Sequence, residues 1–166
     1  MADAKRAVLI VAHGSPATDT PIELRRELRR LHAKQHKSEA ERSREREVEL
    51  QIRRWPRTGD NDPYQRGTEA LATELGALLA GVPVVAAYNE FCVPDVPDAV
   101  KSLVDQGVRH IDVLSTMVTP GGGHSERDIP AALTVCRAQF PEVEFEYRWP
   151  YDLRLVAALF ARHLKD

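Results

Sequence analysis

The sequence has few cysteines and no excess of charge of either sign. Only Cys92 and Cys136 occur among 166 residues, too few for a disulfide framework and matching no zinc-finger spacing. The 23 basic residues are balanced by 25 acidic ones, so the strongly basic character of nucleic-acid-binding proteins is missing. We therefore expect no nucleic-acid partner and a reducing, cytoplasmic compartment.

Long hydrophobic runs are missing as well. The only apolar run near the N-terminus, residues 7–12, is far too short for the core of a signal peptide or for a membrane span. A chain of 166 residues is long enough for one domain with a sizeable core. The sequence therefore predicts a single globular domain over residues 1–166 and no membrane partner.

Short apolar runs alternate with helical patterns along the chain. Each run has the length and the β-branched content of a buried strand, and the last is partly polar, as at a sheet edge. This alternation predicts a flavodoxin-like α/β fold, in which a parallel sheet of strand order 2-1-3-4 carries helices on both faces. The four predicted strands are residues 7–12, 82–87, 111–116 and 143–148.

Helix-start patterns follow the predicted strands. Thr20 is predicted to cap a first helix that begins with Pro21, and Asp62 precedes Pro63 in the same arrangement. Ser125 is predicted to cap the central helix, with an acidic residue at its third position. Two more helices are expected to begin at Pro97 and near residue 153.

The segment from 17 to 59 is dominated by charge. Residues 32–47 contain only two apolar residues, both alanine, which predicts a solvated helix or a partly disordered segment. Residues 48–55 fit a strand or a helix equally well. His32 and His36 stand four residues apart, a spacing that can chelate a metal, although exposed histidines in polar helices are far commoner than metal sites.

Three glycines at 121–123 connect the third predicted strand to His124 and a helix start. A strand, a glycine-rich turn and a helix N-terminus in this order are typical of ligand sites in open α/β folds. The same glycines are equally consistent with a flexible connection, and this stretch alone does not decide between the two.

The predicted strand order brings three potential ligands to one crevice. His13 ends strand one, Glu90 follows strand two, and His124 follows strand three. Two neutral imidazoles and a carboxylate with open coordination positions suit a borderline divalent metal such as cobalt, iron, nickel or zinc. Each residue also has a structural alternative: His13 as a turn residue bonded to a carbonyl, Glu90 as a solvated strand end.

Three motifs together resemble the small sirohydrochlorin chelatases, the short class II tetrapyrrole chelatases. They are Val-Ala-His-Gly-Ser at 11–15, Tyr-Asn-Glu at 88–90 with Pro94 and Pro97 beyond it, and Gly-Gly-Gly-His-Ser-Glu-Arg-Asp-Ile-Pro at 121–130. Asp-Pro-Tyr at 62–64 is also similar to a segment of the protoporphyrin ferrochelatases. The resemblance covers the first strand and then roughly residues 62–166.

The resemblance implies a single chelatase-type lobe and a lyase-type enzyme, a cobaltochelatase or ferrochelatase. It implies ATP-independent insertion of cobalt, iron or nickel into a sirohydrochlorin-type tetrapyrrole, for cobalamin or siroheme synthesis, with no organic cofactor. It places the family's paired histidines on His13 and His124, and its acidic partner on Glu90. A larger set of residues near these three is expected to bind the macrocycle through backbone donors, positive charge or apolar contact: Ser15, Met117, Gly122, Gly123, Ser125 and Arg127.

The charged segment at 17–59 departs from the short chelatases and reads as a mostly helical insertion. A single lobe leaves its cleft open on one side, so we expect a homodimer, with this insertion at the interface or acting as a lid. Arg127 is also compatible with a plain surface role, and Cys92 is expected to be a buried, inert thiol.

Three other functions are weighed against chelation. A non-catalytic carrier of metal or tetrapyrrole would use the same three residues. A hydrolase would need a Gly-x-Ser-x-Gly nucleophile elbow, which the chain lacks. A phosphate-binding regulatory domain built on glycines 121–123 would lack the P-loop lysine.

Overall fold

The strand β1 (Lys5–Ala12) is the centre of a parallel sheet because its apolar run is paired on both sides. The computed structural model describes residues 5–165, and these contain four strands in the order β2-β1-β3-β4. This is the predicted order. The other three strands are β2 (Val84–Tyr88), β3 (Val108–Ser115) and the edge strand β4 (Glu144–Tyr147).

Within residues 5–165, six α-helices accompany the sheet. They are α1 (Ile22–His32), α2 (Glu39–Arg53), α3 (Pro63–Leu78), α4 (Val96–Asp105), α5 (Ile129–Gln139) and α6 (Leu153–His163). A π-helical turn over His124–Asp128 leads directly into α5. No helix within residues 5–165 has both the length and the apolar character needed to cross a bilayer.

The two faces of the sheet are covered unequally. Alternate residues of β1 point to opposite faces, so that Leu9 and Val11 join the main core under α4 and α5, whereas Val8 and Ile10 face α3. The main core also contains Cys136, which is fully buried. The face towards α3 has a much smaller buried cluster, made by Val8, Ile10 and Ala72.

Two predicted helix starts need correction. Helix α1 begins at Ile22 with Pro21 in the cap position, and the Thr20 hydroxyl is buried without a partner instead of capping the helix. The reason is local: the Thr20 N–H closes a turn onto the carbonyl of Ala17, which turns the side chain inward. Helix α4 begins one residue before Pro97, with Asp95 as its cap.

The charged segment is helical rather than disordered. Ser38 and Glu41 form a reciprocal capping box at the start of α2, which fixes where that helix begins. Val48 and Ile52, four residues apart, are buried against Leu28 of α1, whereas Leu50 is exposed. The ambiguous residues 48–53 are therefore helical, because helical spacing places both buried side chains on one side.

Asp112 is a buried carboxylate in the middle of β3. It accepts hydrogen bonds from Arg6 Nε at 2.6 Å and Arg148 Nε at 2.9 Å, and His110 Nε2 lies 3.4 Å away. Burial disfavours the charged carboxylate, but the two arginines outweigh burial and hold the pKa of Asp112 below its ordinary value of 3.8. The three charged side chains thus tie β1, β3 and the chain after β4 together.

We expect Asp112→Asn to lower the free energy of unfolding by about 1 to 2 kcal/mol at pH 7, because the two arginines lose their anionic partner but remain half-exposed. Because the pKa of Asp112 is lower in the folded than in the unfolded chain, its charged form stabilises the fold at pH values above the unfolded pKa of about 4. This stabilisation is lost as the pH falls from about 4 through the lower pKa of the folded state. Urea unfolding at pH 7 and pH 3 measures both effects. A difference that persists undiminished at pH 3 would contradict this account of Asp112.

Candidate metal centre

The carboxyl ends of β1, β2 and β3 bring His13, Glu90 and His124 together. One possible ligand atom from each residue lies within 4.8 Å of the other two. The imidazole rings of His13 and His124 meet edge to face, with centroids 4.7 Å apart and an interplanar angle of 85°. The three residues therefore share one crevice, as the predicted strand order requires.

Backbone contacts fix the distance between the first two ligands. The N–H of Glu90 donates to the carbonyl of His13 at 2.8 Å, which continues the pairing of β1 with β2 beyond the strand ends. Gly14 has a φ of +95°, and a Cβ there would lie 1.8 Å from the carbonyl oxygen of Glu90. Only glycine permits this close approach.

Hydrogen bonds at Nδ1 set the tautomer of both histidines. His13 Nδ1 lies 2.8 Å from the carbonyl oxygen of Gly14, and His124 Nδ1 lies 2.6 Å from Asp128 Oδ2. Both oxygens can only accept, so each Nδ1 carries the hydrogen and each Nε2 keeps a free lone pair. His124 Nε2 is 3.9 Å from Glu90 Oε1, so the free lone pair lies on the side of the carboxylate.

The donor set is open rather than closed. Three protein ligands leave at least one position of a tetrahedral ion vacant, and the side chains of His124 and Glu90 are both about a quarter exposed. Two imidazoles and one carboxylate match the borderline divalent metals. This arrangement can hold a metal while leaving room for an external ligand to replace the protein.

Two arginines of the charged segment hold the loop that carries Glu90. Arg57 is largely shielded from solvent and pairs with the buried Asp62. Arg53 and Arg57 together donate to four main-chain carbonyls around the site, those of Ser15, Asn89, Phe91 and Cys92. Because each guanidinium bridges two of these carbonyls, the conformation of the loop depends on the segment at 53–57.

Cys92 lies behind the site and is fully buried. Its Sγ lies 3.5 Å from the N–H of Ser15, and its thiol donates to the carbonyl of Ser15 at 3.3 Å. Burial raises the pKa of the thiol, which therefore stays protonated. The expectation of a buried, inert cysteine is confirmed.

Four of the predicted substrate-binding residues lie at the surface near the histidines. Ser15 is partly exposed and its hydroxyl bonds locally to the carbonyl of Pro16. Gly122 is exposed, and the guanidinium of Arg127 folds back against Gly123, which leaves its charge at the rim of the crevice. These four residues remain available to a ligand.

Ser125 and Met117 both contact the interior of the protein. Ser125 is fully buried inside the π-helical turn and does not cap α5, since its hydroxyl faces Ser115 Oγ at 3.4 Å and the carbonyl of Met117. Met117 packs against the main core. The predicted cap at Ser125 is therefore wrong, because its side chain is buried beneath the loop. Met117 is partly exposed, and its contact with a substrate stays a prediction.

Some residues of the site were not predicted from the sequence. Asp128 orients His124, and the His-x-x-x-Asp spacing on one helical turn was a usable signal for it. The Tyr64 hydroxyl accepts from the N–H of His13 at 3.2 Å. Nothing in the sequence indicated the roles of Arg53 and Arg57, because arginine is common throughout the charged segment.

A second group of potential ligands, His110, Asp112 and Glu146, also comes together within the described residues. Its central carboxylate already pairs with Arg6 and Arg148, so it forms an ion-pair network and not a metal site. His32 and His36 belong to neither group, and His32 instead lies 3.6 Å from Glu45.

The chain is similar in sequence and in fold to known proteins. The family model described as CbiX matches residues 58–165, which is more than half of the chain. The chain belongs to the CbiX family. The match begins after α2, so residues 17–57 of the charged segment lie outside the part of this CbiX-family chain that the family model covers.

A sirohydrochlorin cobaltochelatase from Priestia megaterium is 30% identical over 92 residues, covering 55% of this chain and 30% of that protein. The sirohydrochlorin chelatase SirB from Bacillus subtilis subspecies spizizenii, solved with cobalt, superposes with a TM-score of 0.53 at 19% identity, covering 97% of this chain and 50% of that one. A CbiX protein from Marinobacter aquaeolei VT8 gives a TM-score of 0.57 at 17% identity, with 96% and 95% covered. At these identities the two structures establish the shared α/β fold. The CbiX-family chain thus spans half or less of the first two relatives and nearly all of the third.

We expect Gly14→Ala to lower the free energy of unfolding by about 3 kcal/mol or more, because the new Cβ both strains a positive φ and collides with the Glu90 carbonyl. Thermal or urea unfolding measures the loss. Gly59→Ala is the matched control, since a Cβ at Gly59 would meet no atom within 4 Å. Equal stability of the two variants would show that the two loops are not packed as described.

Asp128→Asn is expected to weaken cobalt binding about 10- to 100-fold without unfolding the chain, because an amide orients the neutral His124 less firmly than a carboxylate does. Titration with cobalt, followed by its visible absorbance, measures the affinity. Undiminished affinity would mean that Asp128 does not position His124.

Proposed function

We propose that this protein inserts a divalent metal into a sirohydrochlorin-type tetrapyrrole, without ATP or an organic cofactor. The observation that carries the proposal is the open three-ligand crevice formed by His13, Glu90 and His124 in a chain of the CbiX family. Such a site can hold a metal and still release it to a stronger, macrocyclic ligand.

The named relatives support the substrate and the metal. The Priestia megaterium protein is a sirohydrochlorin cobaltochelatase, and SirB is a sirohydrochlorin chelatase solved with cobalt and with Fe3+. We extend sirohydrochlorin, and cobalt or iron, to this chain on that basis. Nickel is included because the same donor set accepts it. The product would serve cobalamin or siroheme synthesis.

The chemistry assigns a role to each ligand. Insertion forms four metal–nitrogen bonds in the macrocycle and releases two pyrrole protons. Each imidazole that gives up the metal regains the lone pair on Nε2, and that lone pair can accept one of the protons. Glu90 balances the positive charge of the metal before transfer and relays protons to water afterwards.

The rim of the crevice suits an anionic substrate. Arg127 supplies positive charge, and the backbone at Ser15, Gly122 and Gly123 is exposed or partly so. The macrocycle carries several carboxylates, which such groups can bind. Phe91, whose ring centroid is 5.9 Å from that of His13, offers an apolar contact to the ring system.

We also propose a homodimer acting in the cytoplasm. The chain spans 50% of SirB, so a second copy would supply the half that a single lobe lacks. The insertion at 17–59 would then lie at the dimer interface or cover the crevice. Both cysteines are buried and unpaired, which fits a reducing compartment.

Replacement of either histidine by alanine is expected to reduce metal insertion by more than about 100-fold while the fold is retained, because each removes one of three ligands. Anaerobic incubation with sirohydrochlorin and cobalt, iron or nickel, followed by absorbance, measures turnover, and circular dichroism measures the fold. His36→Ala is the control, since His36 is exposed and outside the crevice.

Full turnover in both His13→Ala and His124→Ala would refute the proposed site. A wild-type protein that binds cobalt and sirohydrochlorin but does not accelerate their reaction would be a carrier rather than a chelatase.

A further inference from the structure

Three aromatic side chains come into contact where β4 ends. The rings of Tyr147 and Trp149 are nearly parallel, with centroids 6.4 Å apart and an interplanar angle of 15°. The ring of Tyr151 meets that of Trp149 edge to face, with centroids 5.3 Å apart. All three residues are partly buried. Aromatic pairs at these distances attract each other beyond the burial of their area, so the three side chains form one row, which we call the aromatic row.

Both tyrosines of the aromatic row donate to the backbone around His124. The Tyr151 hydroxyl accepts from the N–H of Ser115 at 2.9 Å and donates to the carbonyl of the same residue at 2.7 Å, where β3 ends. The Tyr147 hydroxyl donates to the carbonyl of Ser125 at 3.0 Å, directly after the histidine. Burial raises the pKa of Tyr147 to about 12 and also raises the pKa of Tyr151, so both hydroxyls keep the proton that they donate.

Trp149 reaches the same loop through the side chain of Glu126. The indole Nε1–H donates to Glu126 Oε1 at 3.2 Å, and this oxygen also accepts from the N–H of Gly121 at 3.1 Å. The backbone N–H of Glu126 donates to the carbonyl of Gly122 at 3.0 Å. Two hydrogen bonds therefore close the chain from Gly121 to Glu126 into a ring, and His124 lies within that ring.

The glycines at 121–123 make a restraint of this kind necessary. Gly121 has a φ of +92°, and a Cβ at Gly121 or Gly122 would meet no atom within 4 Å. Packing therefore does not hold this part of the backbone, and glycine has more conformational freedom to lose than any other residue. Hydrogen bonding is what limits the conformation of the loop here, and Glu126 Oε1 is the acceptor.

Glu126 differs in role from the other two carboxylates near His124. Among the described residues, Glu126 belongs to no group of potential metal ligands, whereas Glu90 does. Asp128 contacts the imidazole ring of His124, and Glu126 contacts the backbone on the N-terminal side of that residue. The ring and the chain that carries it are therefore fixed by different carboxylates.

We propose that Glu126 and Trp149 are positioning residues of the metal centre. By closing the glycine loop they hold His124 where its Nε2 faces Glu90, 3.9 Å from Oε1. Trp149 acts through Glu126, since its indole N–H fixes the oxygen that receives Gly121. The inference rests on the proposed role of His124 as a metal ligand and adds two residues outside the crevice to the parts that set its affinity.

Cobalt titration of the full chain, followed by visible absorbance, tests the role of Glu126. Glu126→Ala removes the acceptor and should weaken cobalt binding about 10-fold, because the metal must then order the loop itself. Glu126→Gln keeps an oxygen that can accept both hydrogen bonds, so its affinity should stay within about 3-fold of wild type. Wild-type affinity in Glu126→Ala would overturn the proposal. An equal loss in both variants would overturn it too, because the effect would then come from charge.

A double-mutant cycle tests whether Trp149 acts through Glu126. Trp149→Phe keeps an aromatic ring in the row but removes the indole N–H, and it should weaken cobalt binding about 3-fold. Added to Glu126→Ala it should have little further effect, because the two residues share one route. Losses that multiply in the double variant would contradict that route. Trp55→Phe is the matched control, since its indole also donates to a carboxylate, that of Asp19 at 3.0 Å in the charged segment.

Hydrogen exchange of the glycine loop gives a readout besides affinity. The peptide around residues 116–124 should exchange faster in Glu126→Ala than in wild type or Glu126→Gln, because the N–H of Gly121 has lost its acceptor. Cobalt should slow this exchange more in Glu126→Ala than in wild type, since binding must supply the missing order. Exchange in Glu126→Ala that does not respond to cobalt would show that the loop and the metal are not coupled, and would overturn the proposal.

The outcome is separable from that of the proposed chelation. Glu126→Ala with the cobalt affinity of wild type would refute the positioning role and leave the three ligands His13, Glu90 and His124 in place. A wild type that binds cobalt but does not insert it into sirohydrochlorin would refute chelation. The same affinity series would still decide whether Glu126 and Trp149 position His124.

Discussion

The hydrogen bond from the Glu90 N–H to the His13 carbonyl is the contact on which the candidate metal centre depends. It holds two loops at the spacing of neighbouring parallel strands, about 4.8 Å, which is also the spacing at which side chains from both can reach one ion. On the other side of β1, the backbone N–H of Thr116 donates to the carbonyl of Val11. This hydrogen bond fixes the start of the loop that leads to His124 at the same strand spacing. Gly14 is the residue that permits it, since any Cβ there would collide with the Glu90 carbonyl oxygen.

The two sheet faces contribute differently to the molecule. The face under α4 and α5 contains most of the fully buried side chains and fixes the strand ends from which the ligands project. The face under α3 is thinly covered and leaves apolar surface on the strands and on α6. One face of this small sheet therefore contains the well-packed core, and the other face leaves apolar surface uncovered.

Much of this architecture could be predicted from the sequence, because apolar strand runs and the rule of right-handed crossovers together dictate a strand order. That order was enough to bring His13, Glu90 and His124 together. Residues whose role comes from tertiary contacts could not be predicted in this way. Ser125 matches the pattern of a helix cap but is buried in a π-helical turn, and nothing distinguished Arg53 and Arg57 from the many other arginines of their segment.

Those two arginines give the charged segment a mechanical connection to the metal ligands. Arg53, at the end of α2, and Arg57, just beyond it, donate to the carbonyls on both sides of Glu90, so the loop and the end of this helix cannot move independently. Coupling of this kind is reciprocal. A change in the position of Glu90 is therefore transmitted to the end of α2 through these hydrogen bonds. The metal ligands are thus braced by residues that lie outside the part of the chain matched by the family model.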